Sequence, residues 1–137
     1  MLEYVEGLLF SPDLKEVVLI QKNRPKYLVG LWNGVGGKVE RGENPYDATV
    51  REFFEEAGLY VGGWELFLEL ENPGHWVIHF GKAVGDVTKV KTMTDEPVSV
   101  FPTSHLPKNV VRNLPWIVPM AMDPELEAPR IITRMMG

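Results

Sequence analysis

The sequence contains no cysteine. That excludes a disulfide framework, a thiolate zinc site and a cysteine nucleophile together, and it fits a chain that works in the cytoplasm. No apolar run approaches the ~18–20 residues that cross a bilayer, so no membrane partner is expected. The opening stretch MLEYVEGLLF carries Glu3 and Glu6 and no basic segment, which does not read as a secretory leader. Positive charge is in deficit as well, with 14 Lys and Arg against 19 Asp and Glu and a formal net charge of −5. A basic surface is the usual footprint of a nucleic-acid binder, so no stable nucleic-acid partner is expected. An acidic chain that handled a phosphorylated ligand would need a cation to mediate the meeting.

What is present is an ordinary globular composition, 45% hydrophobic and 24% charged over 137 residues. This indicates one domain spanning residues 1–137, without internal repeats or low-complexity segments. Residues 4–10 and 16–21 are apolar, β-branched runs separated by Ser11-Pro12-Asp13, and they predict a strand pair. Residues 22–44 read as loop, with a short strand between Trp32 and Val35. Further strands are expected at 64–70, at 76–84 and around Val98 to Phe101. The stretch from Leu106 to Met122 has helical spacing, which Pro115 and Pro119 should kink or divide. The tail 123–137 has no clean period and is expected to be irregular. Strands around one long helix predict a mixed α/β (α+β) domain.

That long helix is expected over residues 45–57. Asn44 is placed as N-cap, Pro45 suits the first helical position, and Gly58 is placed to close the helix. Tyr46, Val50, Phe53, Phe54 and Ala57 form the face expected to be buried. Glu52, Glu55 and Glu56 are related by i, i+3 and i+4, so they share one surface. They repel one another and crowd the end of the helix where the dipole disfavours anions. Local stability does not select this arrangement, whereas a hard dication, which prefers oxygen ligands, reverses the sign of its cost. A solvated acidic face remains the alternative reading of the three glutamates alone.

A glycine-rich loop, Gly36-Gly37-Lys38-Val39-Glu40-Arg41-Gly42-Glu43, leads into the helix. The 23 residues from Gly37 to Leu59 resemble the signature of the Nudix hydrolases, Gly-x5-Glu-x7-Arg-Glu-U-x-Glu-Glu-x-Gly-U with U apolar. Gly37, Glu43, Arg51, Glu52, Phe53, Glu55, Glu56, Gly58 and Leu59 all match. A chance match of the fixed identities is on the order of 10⁻⁶ per chain. The resemblance implies an α/β/α sandwich with a mixed sheet and one catalytic helix. It further implies hydrolysis of a nucleoside diphosphate linked to another group, with Mg²⁺ as cofactor and Mn²⁺ as its alternative.

Carried over residue by residue, Glu52, Glu55 and Glu56 become metal ligands and catalytic groups, with the Gly37 carbonyl as a further ligand. Glu56 is the first choice for the central ligand, and Glu52 for a role near the attacking water. Arg51 and Glu43 match positions that pair and pin loop to helix. Lys38 is a candidate phosphate contact or a solvated loop lysine. Some members of the family use a glutamate beyond the signature as general base. Asp95 and Glu96 stand suitably in sequence, and Glu96 is preferred for its reach; a polar turn is the other reading. A homodimer is compatible with the resemblance.

Leu31 to Val39 is also similar to the loop of MutT-like oxidised-nucleotide triphosphatases, which implies that Asn33 contacts the base and that the reaction serves nucleotide-pool sanitation. There is a departure. Aligning Trp116-Ile117-Val118-Pro119 on the corresponding helix segment leaves Val111, Asn113 and Leu114 where the family's acidic purine-reading groups fall, so a different base or a broad specificity is open. The leading expectation is cleavage of a (deoxy)nucleoside triphosphate to monophosphate and pyrophosphate. An ADP-ribose or nucleotide-sugar pyrophosphatase, hinted at by Pro73-Gly74, and a non-catalytic nucleotide sensor are the alternatives. His75, His79 and His105 read as packing or surface residues rather than catalysts.

Overall fold

The computed structural model describes residues 1–126 and the backbone of 130–133. Among them, eight strands form one sheet: β1 (Leu2–Phe10), β2 (Glu16–Gln21), β3 (Trp32–Asn33), β4 (Val35–Lys38), β5 (Glu65–Asn72), β6 (Trp76–Val84), β7 (Val98–Pro102) and β8 (Arg130–Thr133). Helix α1 (Pro45–Ala57) follows β4, and α2 (Leu114–Met122) follows β7. The sheet order is β3-β2-β1-β6-β5-β8, with β4 also paired to β1 and β7 to β2. The β1–β6 and β5–β8 pairs are parallel and the others antiparallel, so the sheet is mixed.

The apolar runs in β1 and β2 are continuous because both faces of the sheet are covered. Leu8, Phe10, Val17 and Leu19 point to one face and pack with Leu114, Ile117, Val118 and Ala121 of α2. Leu9, Val18 and Ile20 point to the other and pack with Phe53 and Ala57 of α1. This is the expected sandwich: helix, sheet, helix.

Helix α1 has the bounds that the sequence predicts. Asn44 Oδ1 accepts from the Asp47 amide at 2.8 Å, and Gly58 closes the helix with φ +72°. The buried face is rotated from expectation, however: Ala48, Thr49, Phe53 and Ala57 are buried, while Tyr46 is exposed. Phe54 stacks on Tyr60 with ring centroids 3.8 Å apart instead of entering the core.

Two other expectations are corrected. The helix expected from Leu106 begins only at Leu114, with Pro115 in its first turn where no amide donor is needed. The preceding chain is used differently: Trp32 N–H donates to Asn109 O and Val111 N–H donates to Trp32 O, tying this strap to β3. The tail expected to be irregular contains β8, which pairs in parallel with β5 and covers its open edge. Arg130-Ile131-Ile132-Thr133 is a short β-branched segment that suits a strand. Residues 123–126 carry neither helix nor strand, and residues 127–129 and 134–137 lie outside the described residues.

Candidate active site

Two close approaches bring the glycine-rich strand β4 against its neighbours. A Cβ on Gly36 would fall 1.9 Å from Val5 O, so only glycine permits this pairing with β1. A Cβ on Gly37 would fall 2.6 Å from the Glu52 carboxyl carbon, so the bare backbone of Gly37 lies against that carboxyl. A cleft of about 730 Å³ opens beside it, lined by the N-terminal residues, the loop from Lys38 to Glu43, and Glu52. Its size suits a nucleotide-sized ligand.

Arg51 organises one side. Its Nε and Nη2 donate to the two carboxylate oxygens of Glu43 at 2.8 and 2.9 Å, a bidentate pair. Nη2 also donates to Lys38 O at 3.1 Å, and Nη1 to Glu52 Oε1 at 2.9 Å and Glu55 Oε2 at 3.3 Å. One guanidinium thus ties the loop to the helix and fixes two of the three helix glutamates. Its hydrogen bonds hold the Glu43 carboxyl below the usual range, and the anions around it raise the already high pKa of Arg51 further. Lys38 is exposed and contributes its carbonyl to this network.

Glu56 lies in a different environment. Its Oε2 is buried and has no hydrogen-bond partner among the described residues. Burial pushes its pKa up to about 7, offset by the charge of Lys22 and reinforced by Glu52, Glu96 and Glu55. Burial also raises Glu52, despite the Arg51 hydrogen bond.

Lys22 comes from the end of β2 and links these carboxyls to the loop before β7. Its Nζ donates to Glu96 Oε1 at 3.2 Å, while the Asn23 amide donates to Glu96 Oε2 at 2.6 Å. Glu96 is 3% exposed, near enough for its charge to act on Glu56, and both its oxygens are engaged. Asp95 instead faces solvent. Its carboxylate is held low by Arg24 at 2.5 Å and by Asn23 at 2.9 Å.

Asn33 lies against Glu6, a buried carboxyl on β1 pushed up to about 7 by burial and only partly relieved by Asn33 and Lys22. Neither Glu6 nor Lys22 is singled out by sequence reasoning. A signal existed for Glu6: a lone acid in YVEGLLF, where its neighbours are apolar or glycine. Lys22 carries no such signal, being one cation in a polar loop.

The histidines stand apart. His79 Nε2 lies 2.6 Å from Glu3 Oε2 and its Nδ1 3.4 Å from Glu69 Oε1, so both ring nitrogens face carboxylates across neighbouring strands. His75 and His105 are exposed.

Among the described residues, no three His, Asp or Glu side chains close into a ready-made metal cage. The residues nevertheless fit a hard dication: the donors are all oxygen, Glu56 presents a buried unpartnered oxygen, and the bare Gly37 backbone adjoins Glu52.

A stretch of the chain is 40% identical over 60 residues to the uncharacterized Nudix hydrolase YvcI of Bacillus subtilis, covering 44% of this chain and 35% of that protein. Another is 46% identical over 44 residues to the oxidized purine nucleoside triphosphate hydrolase of Mus musculus, covering 32% and 28% respectively. The chain therefore matches about a third of the length of these relatives. The MutT NUDIX hydrolase of Burkholderia pseudomallei shares the fold with a TM-score of 0.74 at 20% identity, over 88% of this chain and 97% of that one. The NUDIX domain of Shewanella oneidensis NrtR, solved with ADP ribose, gives a TM-score of 0.74 at 18% identity, over 88% and 86%. The NUDIX domain family itself matches residues 4–116. A match across that span, which includes the loop and helix of the carboxylate cluster, shows that the chain belongs to the NUDIX hydrolase family.

Proposed function

We propose that this protein hydrolyses a (deoxy)nucleoside triphosphate to the monophosphate and pyrophosphate, using Mg²⁺, or Mn²⁺ in its place, at the acidic surface of α1. The observation that carries this reading is Glu56 Oε2, a buried carboxyl oxygen without a partner beside Glu52. Burying such a group unpaired is costly, and a hard cation offsets that cost. When bound, the cation neutralises the polyphosphate and lowers the pKa of water.

The chain's own residues divide the remaining work. Glu52, Glu55, Glu56 and the Gly37 carbonyl would hold the cation. Arg51 restrains Glu52 and Glu55 through one oxygen of each, and with Glu43 it keeps the loop on the helix. Lys38 supplies a cation at the rim of the cleft for a phosphate oxygen. Lys22 holds Glu96 beside Glu56, where its carboxylate receives a proton from the attacking water once a hydrogen bond to it is released. Asn33 supplies an amide to the base, having both donors and an acceptor. Support for a triphosphate comes from the stretch of similarity to an oxidized purine nucleoside triphosphate hydrolase.

The test is a panel of canonical and oxidised nucleoside triphosphates, ADP-ribose and dinucleoside polyphosphates, assayed with Mg²⁺ and product identification. Pyrophosphate release from a triphosphate is the expected result. Turnover of ADP-ribose alone overturns the triphosphate reading. Binding without turnover of any of them makes the domain a sensor.

A further inference from the structure

The base-side cluster contains more than its amide. Glu6 is 8% exposed, yet its Oε2 has no hydrogen-bond partner among the described residues. The Asn33 side chain lies against this carboxyl, and Asn33 Oδ1 is itself buried and unpartnered. Gly34 makes the arrangement fit, because a Cβ there would come within 2.6 Å of Glu6 Cγ. The Asn33-Gly34 turn therefore wraps around the Glu6 side chain. Beyond it runs the strap bonded to the Trp32 backbone, which leads to Asn113, whose Oδ1 is a third buried oxygen without a partner.

With Glu6 ionised all three atoms are acceptors, and among the described residues none receives a hydrogen bond. An unpaired buried acceptor costs about 1–3 kcal/mol, so their joint persistence calls for a ligand that donates. Glu6 stands in the middle of β1 opposite Gly36 of β4, Asn33 ends β3, and Asn113 directly precedes α2. We propose that Glu6, together with Asn33, reads the exocyclic amino group of the substrate's nucleobase. The chemical class follows from the acceptors. Cytosine and guanine present an amino group that uracil and hypoxanthine replace with a carbonyl or a hydrogen. This inference rests on the proposed nucleotide substrate and names its specificity.

The experiment uses the full chain and two matched pairs, CMP with UMP and GMP with IMP, titrated calorimetrically with Mg²⁺. The corresponding triphosphates are assayed in parallel for kcat/KM. At least one amino-bearing member should bind roughly tenfold more tightly than its partner, the scale of one unpaired buried acceptor. Glu6→Leu should reduce that ratio to about threefold or less. Glu6→Gln, which keeps the size and one acceptor, should leave it in between. The readout is a ratio, so a general loss of affinity does not mimic the effect. Equal binding within both pairs, or a preference that survives in Glu6→Leu, overturns the proposal and assigns Glu6 a purely structural place. Should Glu6→Leu fail to fold, an unchanged ratio in Glu6→Gln decides in the same direction. If a Glu6-dependent preference is seen but no triphosphate is cleaved, the reaction assignment fails while this one stands.

Discussion

Glu43 and Glu56 belong to the same loop-and-helix unit, yet their surroundings oppose each other. Glu43 is gripped on both oxygens by Arg51 and held below the usual carboxylate range. Glu56 is buried, has an oxygen without a partner, and is pushed up to about 7. Glu6, on β1 opposite Gly36 of β4, shares the second condition. The contrast separates carboxylates that hold the protein together from carboxylates whose cost is met only by something bound. A paired carboxylate is complete without a ligand; a buried orphan is not.

The largest expected break in that contrast is Glu56→Gln. Removing the anion should lower turnover roughly a thousandfold, about 4 kcal/mol of barrier, while unfolding midpoints hold or rise. Pyrophosphate release and a thermal melt on the same preparation check both halves, and unchanged turnover would remove Glu56 from the metal assignment.

Glu6→Gln tests the second orphan through stability. The folded-state pKa of Glu6 near 7 lies above its ordinary 4.5. Between these values the folded state binds more protons than the unfolded one, so stability falls as pH rises across that window and is level above it. The glutamine variant loses this dependence, and its advantage over the parent should grow from none below pH 4.5 to about 3 kcal/mol above pH 7. Glu56 contributes with the same sign in both proteins, so the difference between urea melts isolates Glu6. A constant difference across the window would place Glu6 in a solvated environment.

Arg51→Lys strikes the paired side. Lysine retains the charge but cannot form the fork to Glu43 while reaching Lys38 O and Glu52. With Arg51 only partly buried, a loss of about 1–2 kcal/mol is expected. Because Glu43 is held low, the parent should lose that increment as acid protonates it, and the variant should not. Coincident acid limbs in the two denaturation profiles would show that the pair contributes little. The smallest effect is Asn44→Ala, which removes the cap on the Asp47 amide and should cost about 1 kcal/mol by chemical melt. The paired network then stays intact, so turnover should move by less than about threefold.

Much of this was legible in the linear order of residues, for reasons of range. The Asn44 cap, Pro45 and Gly58 act within one helical turn of the ends they define, and the bounds of α1 follow from them. The spacing of Glu52, Glu55 and Glu56 is likewise a property of the helix itself. Tyr46 and Phe54 show where this reasoning stops. Both fall on a plausible apolar stripe, but the sheet meets the helix along Thr49, Phe53 and Ala57, leaving Phe54 to stack on Tyr60. The Leu106–Asn113 strap also has helical spacing, and hydrogen bonds to Trp32 recruit it elsewhere.

Local rules, acting over three or four residues, set the helix, its caps and the acidic surface it carries, together with the membership of loop and helix in one signature. Only the packed chain could decide that Lys22, Glu96 and Glu56 meet, since they come from the loop after β2, the loop before β7 and α1. The same holds for Glu6, Asn33 and the strap before α2. A charge in a sequence has no fixed cost. Its partners and its distance from water arise when the sheet closes between its two helices, and those two quantities separate Glu43 from Glu56.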